Sequence, residues 1–398
     1  GAASTATALP AGRAWSPRET YQVTGVNTLP YGFILDERDR IMLLATTFGA
    51  IRITELLRWE DSTWVVRESL PYRPSSPSPV LSTTDAEYVM WQTFPPAGTL
   101  DPAELVIAGM RDGRFFEFDT VTTGQPGVVA YSGAVTNRRR WAALHRFNSF
   151  DVFVADSGGS WRHLATDGAA YGGVSAAPLS DTTALFVWSG FSSKDVYYGI
   201  ADGTSWLSAP FPHFDFLHYP RPRPVEDDGL LLGMASLGPA VRYSFFRNSE
   251  WSPLESMLCA YTDGADSLHS AKTFHMSYDD RPFPAMAWTA YDYQSGQTSL
   301  CVAIPTADGA TIAETIETGG PIGWVPSIAR DRFGDVWLAL AHEGPFGFEG
   351  LYWNHTYTSV TASAPVVTRL WRTIRLRWRL SGPAPESHWA ILRARGRG

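Results

Sequence analysis

The chain has 398 residues, with 35 Gly, 28 Pro and 16 Trp, and only 18% of its residues are charged. A net charge of −8 argues against a nucleic-acid binder, which needs a basic face to neutralise phosphates, and no run of about 18 apolar residues is present to span a membrane. Abundant aromatic and turn-forming residues, with no Lys/Glu-rich helical runs, predict an all-β chain of short strands.

Residues 1–29 are an N-terminal segment. Its first stretch, GAASTATALPAGRA, is small and polar, as expected just after a removed export signal, so the protein is expected to be secreted or at the cell surface. The following GRAWSPRETYQ compares with NSEWSPLES further along and reads as a stray outer strand. A strand near residues 15–21 is therefore expected to complete the last repeat and close a ring, removing two exposed sheet edges.

From residue 30 to 364 the chain repeats. The most apolar segment of each repeat is IMLLATT from Ile41, VMWQTF from Val89, WAALHRF from Trp141, LFVWSG from Leu185, LLLGMAS from Leu230, PAMAWTA from Pro284 and VWLALAH from Val336, at intervals of 44 to 54 residues. Each is preceded by an inner-strand candidate and followed by an alternating third strand. A fourth strand usually opens on an aromatic residue, as at Trp64, Phe115, Trp161, Trp206 and Trp251. Seven units of four short strands predict a seven-bladed β-propeller.

Residues 365–398 form a C-terminal β tail. In WRTIRLRWRL, Ile374, Leu376, Trp378 and Leu380 alternate with arginines, the pattern of a half-buried strand. HWAILRARG is expected to be its hairpin partner, and the pair LRWRL and HWAILRA resembles the opening strands of fibronectin type III-like and bacterial immunoglobulin-like modules. The tail is then either a hairpin on the propeller or the start of a truncated module.

Other resemblances sit in the repeats. Asp156-Ser157-Gly158-Gly159-Ser160-Trp161 and Asp202-Gly203-Thr204-Ser205-Trp206 are similar to the Asp-box turn of sialidase-like repeats, which implies a structural turn in which Asp caps backbone N–H groups and Trp packs between sheets. The first inner strand, Tyr31-Gly32-Phe33-Ile34-Leu35, lacks the early arginine that sialidases use. Pro30-Tyr31-Gly32 and Arg330-Asp331-Arg332-Phe333-Gly334-Asp335-Val336-Trp337 look like repeats of streptogramin-lyase and sensor-regulator propellers. FDVFVADSGGSW is similar to blades of bacterial sugar-binding propeller lectins.

The polar residues are unevenly spread. Inner strands offer Phe33, Ser82, Ser175 and Ser327 in four units, whereas unit five offers His218, Tyr219, Arg221 and Arg223, and unit six offers His275 and Tyr278. His213 and Asp215 lead into unit five. Two imidazoles, a phenol and a guanidinium could move a proton and hold a carboxylate, since His and Tyr serve as acid or base and Arg binds carboxylates with its fork. Polysaccharide lyases on seven-bladed propellers use such a set, so this resemblance implies His218, Tyr219, Arg221 and His275 as catalytic residues if the protein is an enzyme. The alternative is structural, with the histidines hydrogen-bonded inside the ring and Arg221 paired with Glu226 or Asp227. Tyr291 and Tyr293, and His342 and Glu343 beside Phe346 and Phe348, fall in expected second-to-third-strand loops where aromatic rings suit sugar stacking.

These features imply a binding propeller that recognises a carbohydrate or other extracellular polymer, with a lyase or a protein-interaction platform as alternatives. No metal ligand set has recognisable spacing, and no cofactor is identified. His145 reads as buried structure. Cys259 and Cys301 fall in adjacent units, as a disulfide or as two buried thiols.

Overall fold

The computed structural model describes the strands between residues 13 and 381 and many of their turns. Residues 1–12 and 382–398 and several connections, including 94–103, 258–268 and 317–325, lie outside the description, and some strand residues are described by backbone alone. Every described regular element is a strand.

The strands form seven antiparallel meanders, each with an inner, a second, a third and a fourth strand. The seven inner strands are Asn27–Leu35, Pro74–Ser82, Ala130–Val135, Ala170–Ser180, Leu217–Val225, His269–Met276 and Ser327–Arg330. Each neighbours the next, and the last lies against the first. Among the described residues, no hydrogen-bonded sheet runs around this ring. Units two and three share a sheet through the parallel pairs Ala134↔Leu81 and Val135↔Ser82, while the other units are separate sheets.

The second strands make the core. Met42, Trp91, Trp141, Phe186, Leu232, Trp288 and Leu338 are all fully buried. Their sequences are continuously apolar because both faces are covered: Phe186 packs toward Trp141 and Phe150 of unit three, while Leu185 and Val187 pack toward Leu230 and Leu232 of unit five. Each such side chain stabilises the fold by roughly 1.5–3 kcal/mol.

Polar side chains join neighbouring units at one repeated level of the inner strands. The Ala176 N–H donates to Ser132 Oγ (2.9 Å), the Ile328 N–H to His275 Nδ1 (3.3 Å) and the Phe33 N–H to Ser327 Oγ (2.9 Å). Strand register puts these donors at one place in the repeat: Ala176, Ile328 and Phe33 lie opposite Phe186, Leu338 and Leu43. At two other seams the equivalent residue is Pro79, opposite Val89, or Pro222, opposite Leu232, and proline has no N–H to satisfy. Against Pro79 stands Gly32, where a Cβ would run into the proline ring.

Two early strands join unit seven. Its second and third strands, Val336–Gly344 and Gly347–Thr358, are followed outward by Arg13–Trp15 and Glu19–Tyr21, which both pair with Gly347–Thr358. In the tail, Thr373–Arg377 pairs with the preceding strand Val366–Leu370, as Val367↔Leu376 and Arg369↔Ile374 show. Only two residues separate these two strands. HWAILRARG itself lies outside the described residues.

Candidate ligand site on the inner strands of units five and six

The inner strands carry register shifts just above the seam level. Pairing skips from Pro30 to Gly32, from Ser75 to Ser78, from Tyr171 to Val174, from His218 to Arg221 and from Ala271 to Thr273. A bulge of this kind bends a strand and re-aims the residue it passes over. In units one, two and four the skipped residues include Tyr31, Ser76, Pro77, Gly172 and Gly173. In unit five they are Tyr219 and Pro220, and in unit six the skipped residue is Lys272.

Below these bulges, Arg221 and His275 occupy the seam level of adjacent strands, opposite Gly233 and Ala287. Arg221 is partly exposed, yet its Nε is buried and has no hydrogen-bond partner among the described residues. The nearby His275 is buried, and its pKa is pushed down to about 3, first by desolvation and then by the Arg221 charge. The Ile328 N–H opposes this shift by hydrogen-bonding Nδ1. With Nδ1 accepting, the neutral ring carries its proton on Nε2. His275 is a brace between units six and seven, and in this tautomer it has no basic nitrogen to offer a substrate.

Arg223 is 1% exposed, one alternating position beyond Arg221. Arg330, at 3%, ends the inner strand of unit seven, and Ser327 is held at the seam. His218 and Tyr219 lie in the inner strand of unit five, described by backbone alone. His213, Asp215, Tyr278 and Tyr293 fall outside the described residues, as do Glu226 and Asp227.

Four residues expected in loops are in strands, Phe348 among them within Gly347–Thr358. Tyr291 pairs with Ser270 inside Met286–Asp292, and His342 and Glu343 pair with Gly350 and Phe348 near the end of Val336–Gly344. The strands of unit seven continue to the pair Gly344↔Gly347, so the polar pair rides on an extended ladder with a register shift between its members. These positions share the end of the units at which second strands pass to third strands, where the inner strands of units five and six also begin.

Sequence reasoning overlooked Lys272 and Arg330 as site candidates. The available signal was charge per inner strand, which requires strand bounds to be known. Among the described residues, no group of three or more His, Cys, Asp or Glu is placed to hold a metal ion. No helix of the described residues is long and apolar enough to cross a membrane.

Units three and four show what the Asp turns do. The Asp202 carboxylate accepts the Thr204 and Ser205 N–H groups at 2.8 and 2.7 Å, and these bonds hold its pKa well below the usual carboxylate range. Gly203 adopts a φ of 96°, a conformation costly for any residue with a Cβ. In the sister turn, Asp156 instead binds Arg139 Nε at 2.9 Å. Trp161 and Trp206 donate their indole N–H groups to Asp119 and Asp167 of the preceding units at 2.8 and 2.7 Å. Cys301 is disulfide-bonded, and the only other cysteine in the chain is Cys259.

No protein-family model and no curated protein matches the chain. Solved structures do. An unknown-function protein from Dyadobacter fermentans is similar over 88% of this chain and 100% of its own, with 11% identity and a TM-score of 0.50. BBS1N, solved in complex with ARL6DN, is similar over 88% of this chain and 98% of its own, with 8% identity and a TM-score of 0.50. The fold is of the β-propeller type. Aleuria aurantia lectin in complex with Fucalpha1-6GlcNAc is similar over 77% of this chain and 100% of its own at 8% identity, but its TM-score of 0.44 is too low to carry an argument. Identities this low show the fold alone, and a propeller-type scaffold serves enzymes, lectins and docking platforms alike.

Proposed function

We propose that this protein is an exported binding protein that holds a carbohydrate or another extracellular polymer at the inner strands of units five and six. The observation that carries this reading is the division of labour between Arg221 and His275. Arg221 is partly exposed and its buried Nε has no hydrogen-bond partner among the described residues, while the adjacent imidazole is neutral and engaged as a backbone acceptor. A partly exposed cation with no ion pair among the described residues can hold a ligand. A neutral, committed histidine does not supply the base that polymer cleavage requires.

The register shift supports the same place, because it passes over Tyr219, a residue type that combines an aromatic ring with a hydroxyl. Export is supported by the disulfide at Cys301, since such bonds persist in oxidising compartments. Divergence between the units favours one site over a repeated lectin array.

The test is to incubate the protein with a panel of acidic and neutral polysaccharides, measuring retention on the polymer and the ultraviolet absorbance of unsaturated sugar. Retention without new absorbance is expected, and Tyr219→Phe is expected to keep most of it. Rising absorbance that Tyr219→Phe abolishes would overturn the reading in favour of a lyase. Absence of both signals would overturn it in favour of protein docking.

A further inference from the structure

The seven inner strands contain no Asp or Glu, although these make up 40 of the 398 residues. They do contain four permanent cations: Arg221, Arg223, Lys272 and Arg330. Burial penalises both signs of charge, so burial alone does not explain a lining that keeps one sign and excludes the other. The asymmetry is stronger because the whole chain is acidic at −8. It is also local, since all four cations belong to units five, six and seven.

Resting on the binding reading above, we infer that the ligand bears carboxylate groups, one of which is taken by the Arg221 guanidinium at the seam between units five and six. Three observations converge. Arg221 Nε is buried with no hydrogen-bond partner among the described residues, so that donor is desolvated and unused. Neighbouring His275 is neutral and supplies no counter-charge. Lys272 is the residue that pairing passes over in the adjacent inner strand, so that strand also carries a cationic residue.

The planar guanidinium presents paired N–H donors whose spacing matches the two oxygens of a carboxylate. A bound carboxylate would neutralise the partly exposed Arg221, whose strand also carries Arg223. The chemical class is therefore a uronic-acid-containing polysaccharide, as opposed to a neutral glycan.

The experiment compares polygalacturonate, the same polymer fully methyl-esterified, and a sulfated polysaccharide of similar length, using the full chain at low and high salt. Binding to polygalacturonate, weakened at least tenfold by esterification and by Arg221→Gln, and weakened by salt, is the expected result. Lys272→Gln should weaken it several-fold. Unchanged melting temperature and circular dichroism of the wild type and Arg221→Gln show that the loss is local; if that variant does not fold, Arg221→Lys, which keeps charge but loses the fork, should bind several-fold more weakly.

Equal binding of ester and acid, insensitive to Arg221, would overturn the carboxylate inference and leave the polymer reading standing. A preference for the sulfated chain would also overturn it. Binding of monomeric galacturonate that depends on Arg221, with no polymer bound, would uphold the inference and overturn the polymer reading. No binding of any probe would overturn both.

Discussion

The seam between units three and four and the seam between units five and six use the same scaffold in opposite ways. In the first, polar side chains are closed upon each other: Arg139 binds Asp156 Oδ1, the Thr182 carbonyl and the Asp202 carbonyl, Thr136 Oγ1 donates to the Asp181 carbonyl, and Ser132 Oγ accepts the Ala176 N–H. In the second, the residue that stands where Ser132 and Ser327 accept is Arg221, which cannot accept at all. One seam spends its polar groups on cohesion. The other leaves a cation available, and the comparison locates the site by what the scaffold leaves undone.

His275 offers the largest effect with which to break that comparison. Its folded pKa is depressed to about 3, against about 6.5 for an unfolded chain, so between these values the unfolded chain holds one more proton. Its contribution to stability is fully present above pH 6.5 and is lost as pH falls toward 3, on the order of several kcal/mol in total. Buried His145, whose pKa is also lowered by burial, acts in the same direction. His275→Asn keeps an acceptor near the Nδ1 position without titrating, so urea unfolding from pH 7 to 4 should show a shallower loss of stability. Arg221→Gln removes a charge that depresses the His275 pKa and should move the acid limb to lower stability loss without weakening the protein at pH 7. If either variant leaves the acid limb unchanged, the brace does not titrate as described.

Next in size is Arg139, on the closed side. Arg139→Ala leaves two carbonyls and Asp156 without their donor, and should lower stability by about 3 kcal/mol while leaving polymer binding intact. The reverse pattern for Arg221→Gln, loss of binding without loss of stability, is what separates the two seams. Ser327→Ala should cost about 2 kcal/mol, because it strands the buried Phe33 N–H where the last unit meets the first. A cost below about 0.5 kcal/mol would show that the seam bonds are incidental.

The sequence made the repeat legible because each second strand is buried on both faces and so must be continuously apolar. Aromatic openings such as Trp206 marked fourth strands for a similar reason: its ring covers Gly199, where a Cβ would collide with it. The inner strands were harder to read. A bulge at Tyr219 and Pro220 shifts which residues face which neighbour, and nothing in LHYPRPRPV announces where pairing is skipped. His275 illustrates the consequence. As a residue type it fits a base equally well, and only the Ile328 N–H opposite its Nδ1 reveals that it is a brace. In the same way, His342 and Glu343 looked like loop residues because Gly and Pro follow them, while the ladder to Gly350 and Phe348 keeps them in a strand. Turn chemistry is local and was legible at Asp202. Cross-unit contacts are not local, so Arg221, Lys272 and Arg330 acquire a common meaning only when their strands are set side by side.

The smallest effect tests whether the contrast extends to the outer strands. Trp206 donates its indole N–H to Asp167 of the preceding unit at 2.7 Å, whereas Trp251 of unit five has a buried Nε1 with no hydrogen-bond partner among the described residues. Both rings pack between sheets, Trp206 against Phe150 and Phe186 and Trp251 against Phe211 and Phe246. Replacing either with Phe loses similar apolar area, so the difference between them isolates the bond to the carboxylate. Trp206→Phe should cost about 1 kcal/mol more than Trp251→Phe, and Asp167→Asn should recover part of that difference in the Trp206→Phe background, because it removes the negative charge left without its donor. Thermal melts of the two single variants and the double variant measure this directly. Equal losses for the two tryptophans would mean that the outer seams are held by ring packing alone, confining the difference between closed and open seams to the inner strands where Arg221 lies.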